Sequence, residues 1–222
     1  MNEKEYKKSL RQFHKHSDRH ILVVETDMSF SDIQKVVALS DKIRKAGNEL
    51  VGLMRKNYDQ LIRTKRYRKV RKLYGATEEK KKRTVLASQL NEMQKQYHVT
   101  WDDCRTFMIP IGKKYGIDAV FALTKAEDVW RGIEKCLYAN GKTLHFSKYG
   151  VLPCIRAKQR NRGIPISVKE NQLQFKFGKS TFGIQLKDRF QSDEIHAVWD
   201  YLAEPEIIDK KAIQIFIEKA YC

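Results

Sequence analysis

The feature that most constrains the fold is a change in the spacing of apolar residues near residue 141. Before that point apolar side chains recur every three or four residues, which is typical of amphipathic helices. Within residues 141–190 the spacing falls to two, as in Gln172–Phe177 and residues 182–186, which predicts short β-strands. We therefore expect a helical part followed by a β part.

The net charge of +17 is concentrated in two blocks of the sequence. Residues 51–100 contain 14 basic and 4 acidic residues, and residues 141–190 contain 11 and 2. The rest of the chain has 19 basic and 21 acidic residues, so all of the excess charge lies in the two blocks. Clustered Lys and Arg, with tyrosines and glycines among them, indicate a polyanion-binding surface. The alternative is a lysine-rich surface that is merely solvated.

The composition is that of a folded protein. Of the 222 residues, 41 % are hydrophobic and 32 % are charged. No run approaches the roughly 18 apolar residues of a membrane span, and none follows the N-terminus as in a signal peptide. The four cysteines form no C-x-x-C pair. We expect a cytoplasmic protein with reduced thiols, no zinc site and no membrane partner.

Residues 31–140 are predicted to form a bundle of four helices. The first helix is the longest, with an N-cap at Ser31 and a buried stripe that begins at Ile33. It ends in a run at 63–72, where seven of ten residues are Lys or Arg. Because 3.6 residues make a turn, these cations cannot share one face and must coat most of a helix or a helix–loop junction. Gly75 is expected to end this helix.

Three shorter helices are predicted after the basic run. They begin near Glu78, at an N-cap on Thr100, and near residue 117, and the last extends to about residue 138. Ahead of the bundle, the β-branched run at 20–27 predicts a strand. Residues 1–19 are polar and are expected to be a flexible basic tail.

One tripeptide, Gly116-Ile117-Asp118, resembles the first sequence motif of an RNase H-like nuclease. In that motif the aspartate helps to hold Mg²⁺. Here the residues after Asp118 have helical spacing. Glu127 and Asp128 fall on that same helix and cannot close a two-metal site from separate strands. We therefore expect no catalytic residue and no metal site in the chain.

Three segments together resemble a known family. They are residues 21–74, residues 121–142 (FALTKAEDVWRGIEKCLYANGK) and residues 144–152 (LHFSKYGVL). In order and local wording, the chain is similar to the N-terminal half of TnpB-type transposon-encoded RNA-guided nucleases, which are related to type V CRISPR effectors. The similarity extends from about residue 20 to the end of the chain. The aspartate-bearing nuclease strands and the paired cysteines of the zinc ribbon are missing.

The resemblance implies an α+β fold, in which a β-barrel wedge domain is interrupted by an inserted α-helical recognition bundle. Residues 20–30 would supply the first wedge strand and residues 31–142 the helical recognition domain. Residues 143–222 would form the remainder of the wedge barrel and end before a nuclease domain.

The resemblance also implies a function without catalysis. The chain would bind a guide RNA and recognise the short DNA motif beside the target DNA duplex, acting with a separate nuclease domain or chain. It would need no cofactor itself, because Mg²⁺ is expected only in that nuclease domain. It would work in the prokaryotic cytoplasm, at the nucleoid. The alternatives are a stand-alone DNA- or RNA-binding regulator and an active nuclease that uses Asp118.

The expected nucleic-acid contacts lie in the two basic blocks. We expect one group of residues to contact phosphates of the guide–target heteroduplex or of the adjacent DNA. They are Arg63, Arg66, Arg68, Arg71 and Lys72, with Tyr67 either stacking or packing. The folded guide is assigned to Lys148, Arg156, Lys158, Arg160 and Arg162, with Tyr149 stacking on an unpaired base. Phosphate contacts fix position and make affinity depend on salt.

Overall fold

The computed structural model describes residues 29–139, 141–149, 155–157, 164–169, 172–177, 180–183 and 213–215. The helices in this part are α1 (Phe30–Arg63), α2 (Lys65–Ala76), α3 (Lys80–Gln96), α4 (Trp101–Tyr115) and α5 (Ala119–Tyr138). The strands are β1 (Ile155–Ala157), β2 (Ile166–Lys169), β3 (Gln172–Phe177), β4 (Ser180–Gly183) and β5 (Ile213–Ile215). The predicted tail at 1–19 and most of the predicted strand at 20–30 lie outside the described residues.

Helix α1 begins two residues earlier than the sequence predicted. Ser29 is the N-cap, and its hydroxyl accepts a hydrogen bond from the backbone N–H of Asp32 at 3.2 Å. The Asp32 carboxylate also places negative charge at the positive end of the helix. Ser31, the predicted cap, lies inside the first turn. The buried stripe begins at Val36, because Ile33 is exposed.

The basic run at 63–72 is divided between two helices. Helix α1 ends at Arg63 because Thr64 has an extended backbone, with φ −67° and ψ 124°. The Thr64 hydroxyl lies 3.2 Å from the carbonyl oxygen of Gln60 and 3.2 Å from the hydroxyl of Tyr97. These contacts hold the junction between α1 and α2. The cations from Lys65 onward therefore belong to a helix of their own.

The ends of α4 and α5 are fixed by local hydrogen bonds. Thr100 caps α4 in a capping box with Asp103, whose carboxylate accepts from the Thr100 N–H at 3.0 Å, so the predicted cap is confirmed. Helix α4 ends at Tyr115, and the following Gly116 is its C-cap, with the left-handed φ of 62° that favours glycine. Asp118 then caps α5 by accepting from the N–H of Val120 at 2.8 Å. Asp118 thus has a structural role.

Helix α1 is the central helix of the bundle, and α2, α4 and α5 all pack against it. Helices α4 and α5 also pack on each other, and α3 packs along α2. The core includes Leu50, Met54 and Leu61 of α1, all fully buried. Each such side chain stabilises the fold by about 1.5–3 kcal/mol. No helix in the described part of the chain has the combination of length and apolarity needed to cross a membrane.

Two small antiparallel sheets form the described β part. Strands β2, β3 and β4 make one sheet in that order, and β1 pairs with β5 in the other. Ile155 of β1 is fully buried, and β1 packs against α5.

The predicted β-barrel wedge domain is wrong for the described residues, which are mostly helical and contain no barrel. A barrel requires every strand to pair along both edges until the sheet closes. Among the described residues, neither sheet pairs with the other, and the strands are only three to six residues long. An alternating pattern of apolar residues predicts strands, but it does not specify closure.

Candidate nucleic-acid interface

Helix α2 is strongly basic and has two unlike sides. Tyr67 and Val70 are buried, and Arg71 and Tyr74 are partly buried, so the side with this spacing packs against the bundle. The opposite side is exposed and carries no acidic residue. Its five exposed cations are Lys65, Arg66, Arg68, Lys69 and Lys72. The outer side of α2 therefore carries cations and no anion, although the apolar side chain of Leu73 is also exposed there.

Tyr67 was predicted to contact nucleic acid, and the structure places it in the core. Its side chain is 2 % exposed, and burial raises the pKa of its hydroxyl. The ring is therefore not presented to a ligand. Two roles were predicted for Tyr67, stacking on a base or packing in the protein, and in the structure its ring packs in the core.

Arg71 also faces the bundle. Its Nη2 donates a hydrogen bond to the carbonyl oxygen of Cys136 at 3.3 Å, and the Tyr58 hydroxyl donates to the same oxygen at 3.3 Å. This carbonyl lies in the last turn of α5, where carbonyl groups lack partners within the helix. Arg71 therefore places its positive charge at the negative end of α5 and ties α2 to that helix.

The start of α3 extends the cationic side of α2. All four residues of its first turn, from Lys80 to Arg83, are exposed cations. The Arg83 guanidinium lies 4.8 Å from the centre of the Tyr74 ring of α2, within the range of a cation–π contact. We call the five exposed cations of α2 together with those of the first turn of α3 the α2 surface. The predicted residues Arg66, Arg68 and Lys72 lie on it.

Residues 141–149 run along α1 as an irregular segment. The side-chain amide of Asn48 donates to the carbonyl oxygen of Ser147 at 3.0 Å, and the Ser147 N–H donates to Asn48 Oδ1 at 2.8 Å. Leu144 is buried in the core beside Gly132 of α5. The segment is thereby attached both to α1 and to the bundle core.

Two aromatic side chains of this segment lie against α1. The Phe146 ring packs beside Gly52, where a Cβ would lie 3.8 Å from the ring. The Tyr149 ring centre lies 5.4 Å from the Arg44 guanidinium, and Asp41 in turn accepts from Arg44 Nη2 at 2.7 Å. Contacts of Phe146, Ser147 and Tyr149 thus fall at positions 52, 48 and 44. The segment therefore runs antiparallel to α1, advancing by one helical turn between successive contacts.

A groove of about 440 Å³ lies between α1 and Phe146. Its lining residues are Gly52, Arg55, Lys56, Asp59, Gln60, Arg63 and Phe146. Three cations thus face a single carboxylate. Arg63 was predicted as a contact, whereas Arg55, Lys56 and Phe146 were missed. The available signal was the spacing of seven and eight residues, about two helical turns, that places Lys56 and Arg55 near Arg63 on one side of α1.

The second basic block is described only in part. Lys148 is exposed. Arg156 of β1 forms an ion pair with Asp128 of α5, and its side chain is 15 % exposed, so its charge is balanced within the protein. Burial, together with the nearby Arg156, lowers the pKa of Lys125. Lys158, Arg160 and Arg162 lie outside the described residues, and their assignment stays a prediction.

No protein-family model matches the chain, and no curated protein matches it. Within the described residues, no group of three His, Cys, Asp or Glu side chains could hold a metal ion. What these surfaces bind is therefore inferred from their charge and geometry.

Proposed function

We propose that the chain binds a guide RNA and recognises DNA beside the target, as the non-catalytic part of an RNA-guided DNA endonuclease. The observation that supports this most strongly is the α2 surface. The outer side of α2 carries five exposed cations and no acid, and the exposed cations at the start of α3 adjoin it. The cations of α2 can neutralise successive phosphates of a backbone without a carboxylate on the same helix. At the start of α3, Lys82 is already paired with Glu79 at 2.7 Å.

The described residues have separate roles in this proposal. Arg66, Arg68 and Lys72 contact phosphates of the guide–target heteroduplex or of the adjacent DNA. Arg71 acts from the inner side of α2, where it positions the helix through the Cys136 carbonyl. Lys148 and Tyr149 contact the guide. The chain acts in the prokaryotic cytoplasm with a separate nuclease domain or chain, and Mg²⁺ is needed only by that nuclease.

Sequencing the nucleic acid that co-purifies with the chain tests guide binding. We expect one discrete RNA with defined ends. A variant with Lys148→Gln and Tyr149→Ala should fold, because both side chains are exposed, and should lose most of this RNA. A mixture of host RNAs in proportion to their abundance would contradict guide binding and favour the stand-alone regulator.

A cleavage assay tests the division of labour. Labelled target DNA and Mg²⁺ are incubated with the chain and its co-purifying RNA, first alone and then with a separately supplied nuclease half. Cleavage only after mixing supports the proposal. Cleavage by the chain alone contradicts it and would give Asp118 a role beyond capping α5. Specific DNA binding with no cleavage in either case favours a regulator.

A further inference from the structure

We propose that one face of α1, together with residues 146–149, binds an unpaired, single-stranded segment of nucleic acid. Its bases stack on Phe146 and Tyr149, and its phosphates contact Arg55, Lys56 and Arg63. This proposal rests on the proposed function, because it specifies which form of nucleic acid this surface takes. We call the surface the single-strand track.

The track is a continuous face of one helix. Positions 44, 48, 52, 55, 59 and 63 of α1 fall within about 100° around the helix axis and span about 29 Å along it. Asn48 and Arg44 attach the aromatic segment along the first half of this length. The groove lined by Arg55, Lys56 and Arg63 occupies the second half. Aromatic rings and cations therefore follow one another along a single path.

The aromatic rings favour a single strand over a duplex. Tyr149 is 90 % exposed and Phe146 is 48 % exposed, although both lie against α1. Within a duplex each base is covered above and below by its neighbours, so a protein ring stacks only on an unpaired or extruded base. The α2 surface differs in this respect, because Tyr67 is buried and Tyr74 is partly buried. The α2 surface therefore suits a backbone, and the track suits exposed bases.

The groove supports the same assignment by its size and charge. Its volume of about 440 Å³ is within the range of small-ligand sites, so it is large enough to take an unpaired base. Three cations attract phosphates. The carboxylate of Asp59 repels phosphate and accepts hydrogen bonds from base N–H groups. Base and phosphate thus have different places in the groove.

The test compares a single-stranded 12-mer RNA with a duplex of the same sequence, by fluorescence anisotropy at one fixed salt concentration. For Phe146→Ala and for Tyr149→Ala we expect about a tenfold loss of affinity for the single strand, as for other base–aromatic stacking contacts. Affinity for the duplex should change less than twofold. Phe146→Tyr and Tyr149→Phe retain the rings and should retain binding. Phe30→Ala is the matched control, because Phe30 is 75 % exposed on the same helix, about 33 Å from Gly52.

A second pair of variants changes how much of the groove is filled and leaves both aromatic rings in place. Gly52→Ala places a Cβ at an ordinary contact distance from Phe146, so it adds little bulk and should weaken binding much less than Gly52→Leu. Gly52→Leu fills the groove and should weaken single-strand binding about tenfold. Equal losses for both nucleic acids, or no loss from either ring variant, would overturn the track while leaving the proposed function in place. Failure of the unmodified chain to bind either nucleic acid would instead overturn the proposed function.

Discussion

The side chain of Asn48 and the backbone of Ser147, 99 residues apart in the sequence, exchange two hydrogen bonds of 3.0 and 2.8 Å. The side-chain amide of Asn48 thus both donates to and accepts from the backbone of Ser147, as the backbone of a paired β-strand does. This pairing fixes part of the second basic block on α1, whose C-terminal half belongs to the first block. The arrangement of Phe146 and Tyr149 along α1 depends on it.

Replacing Asn48 should loosen this segment. For Asn48→Ala we expect the free energy of unfolding to fall by about 1–2 kcal/mol, since two hydrogen bonds at a partly buried site are lost. Asn48→Asp retains the acceptor for the Ser147 N–H but sets a carboxylate oxygen against the Ser147 carbonyl oxygen, so it should not restore the stability of the unmodified chain. Asn57→Ala is the control, because it removes one exposed hydrogen bond to the His98 carbonyl. Urea denaturation measures all three, and equal losses for Asn48→Ala and Asn57→Ala would contradict the account.

Neighbouring cations of α2 should have different effects when changed. Arg71→Met keeps much of the packing but removes the hydrogen bond to Cys136, so we expect a loss of about 1–3 kcal/mol in unfolding free energy. Lys72→Met removes an exposed charge and should change stability by about 0.5 kcal/mol at most. Denaturation and duplex binding are measured on both variants. The account fails if Lys72→Met is the more destabilising of the two.

Stability should fall in acid because of two carboxylates. Hydrogen bonds from Lys45 and Arg44 lower the pKa of Asp41, and those from Lys114 and Tyr115 lower the pKa of Glu49. A carboxyl with a lowered pKa in the folded state contributes stability above its unfolded pKa, at about pH 4, and loses it as the pH falls through the folded pKa. Stability measured between about pH 6 and pH 2 should therefore decline less steeply in Glu49→Gln and Asp41→Asn. Unchanged slopes in both variants would show that these pairs do not contribute.

Gly141 should tolerate no side chain. A Cβ there would lie 2.8 Å from the backbone N of Cys136 and 2.8 Å from the backbone C of Lys135, so the backbone itself must shift. For Gly141→Ala we expect a loss of about 1–3 kcal/mol in unfolding free energy. Gly75→Ala is the control, because nothing lies within 4 Å of a Cβ at that position. Thermal denaturation of the two variants should separate them clearly, and similar melting temperatures would be inconsistent with this packing.

The sequence was informative where structure is local. The cap at Thr100 and the positions of α3, α4 and α5 follow from residues within a few positions of each other. The start of α1 was misplaced because Ser29 and Ser31 are both good caps, and only the contact between Ser29 and Asp32 decides between them. The break at Thr64 contains no Gly or Pro and depends in part on the distant Tyr97, so no local pattern predicts it. Closure of a barrel likewise depends on pairing between strands that are far apart in the sequence, so a local pattern does not predict it.

The candidate site was predictable to a similar extent. Charge density located α2, and the apolar spacing of Tyr67, Val70 and Tyr74 would have shown that Arg71 shares their inner side. The groove was not predictable, because Phe146 meets Gly52 only after the chain has formed four further helices and returned to α1.

Salt dependence of nucleic-acid affinity tests the central claim most directly. With about eight phosphates neutralised, log K for a DNA duplex should fall with log salt at a slope of roughly −7. Changing the five exposed cations of α2 to Gln should reduce the slope to about −3, because roughly 0.9 is lost per phosphate contact. A slope of about −1 to −2 for the unmodified chain would contradict a polyanion-binding surface.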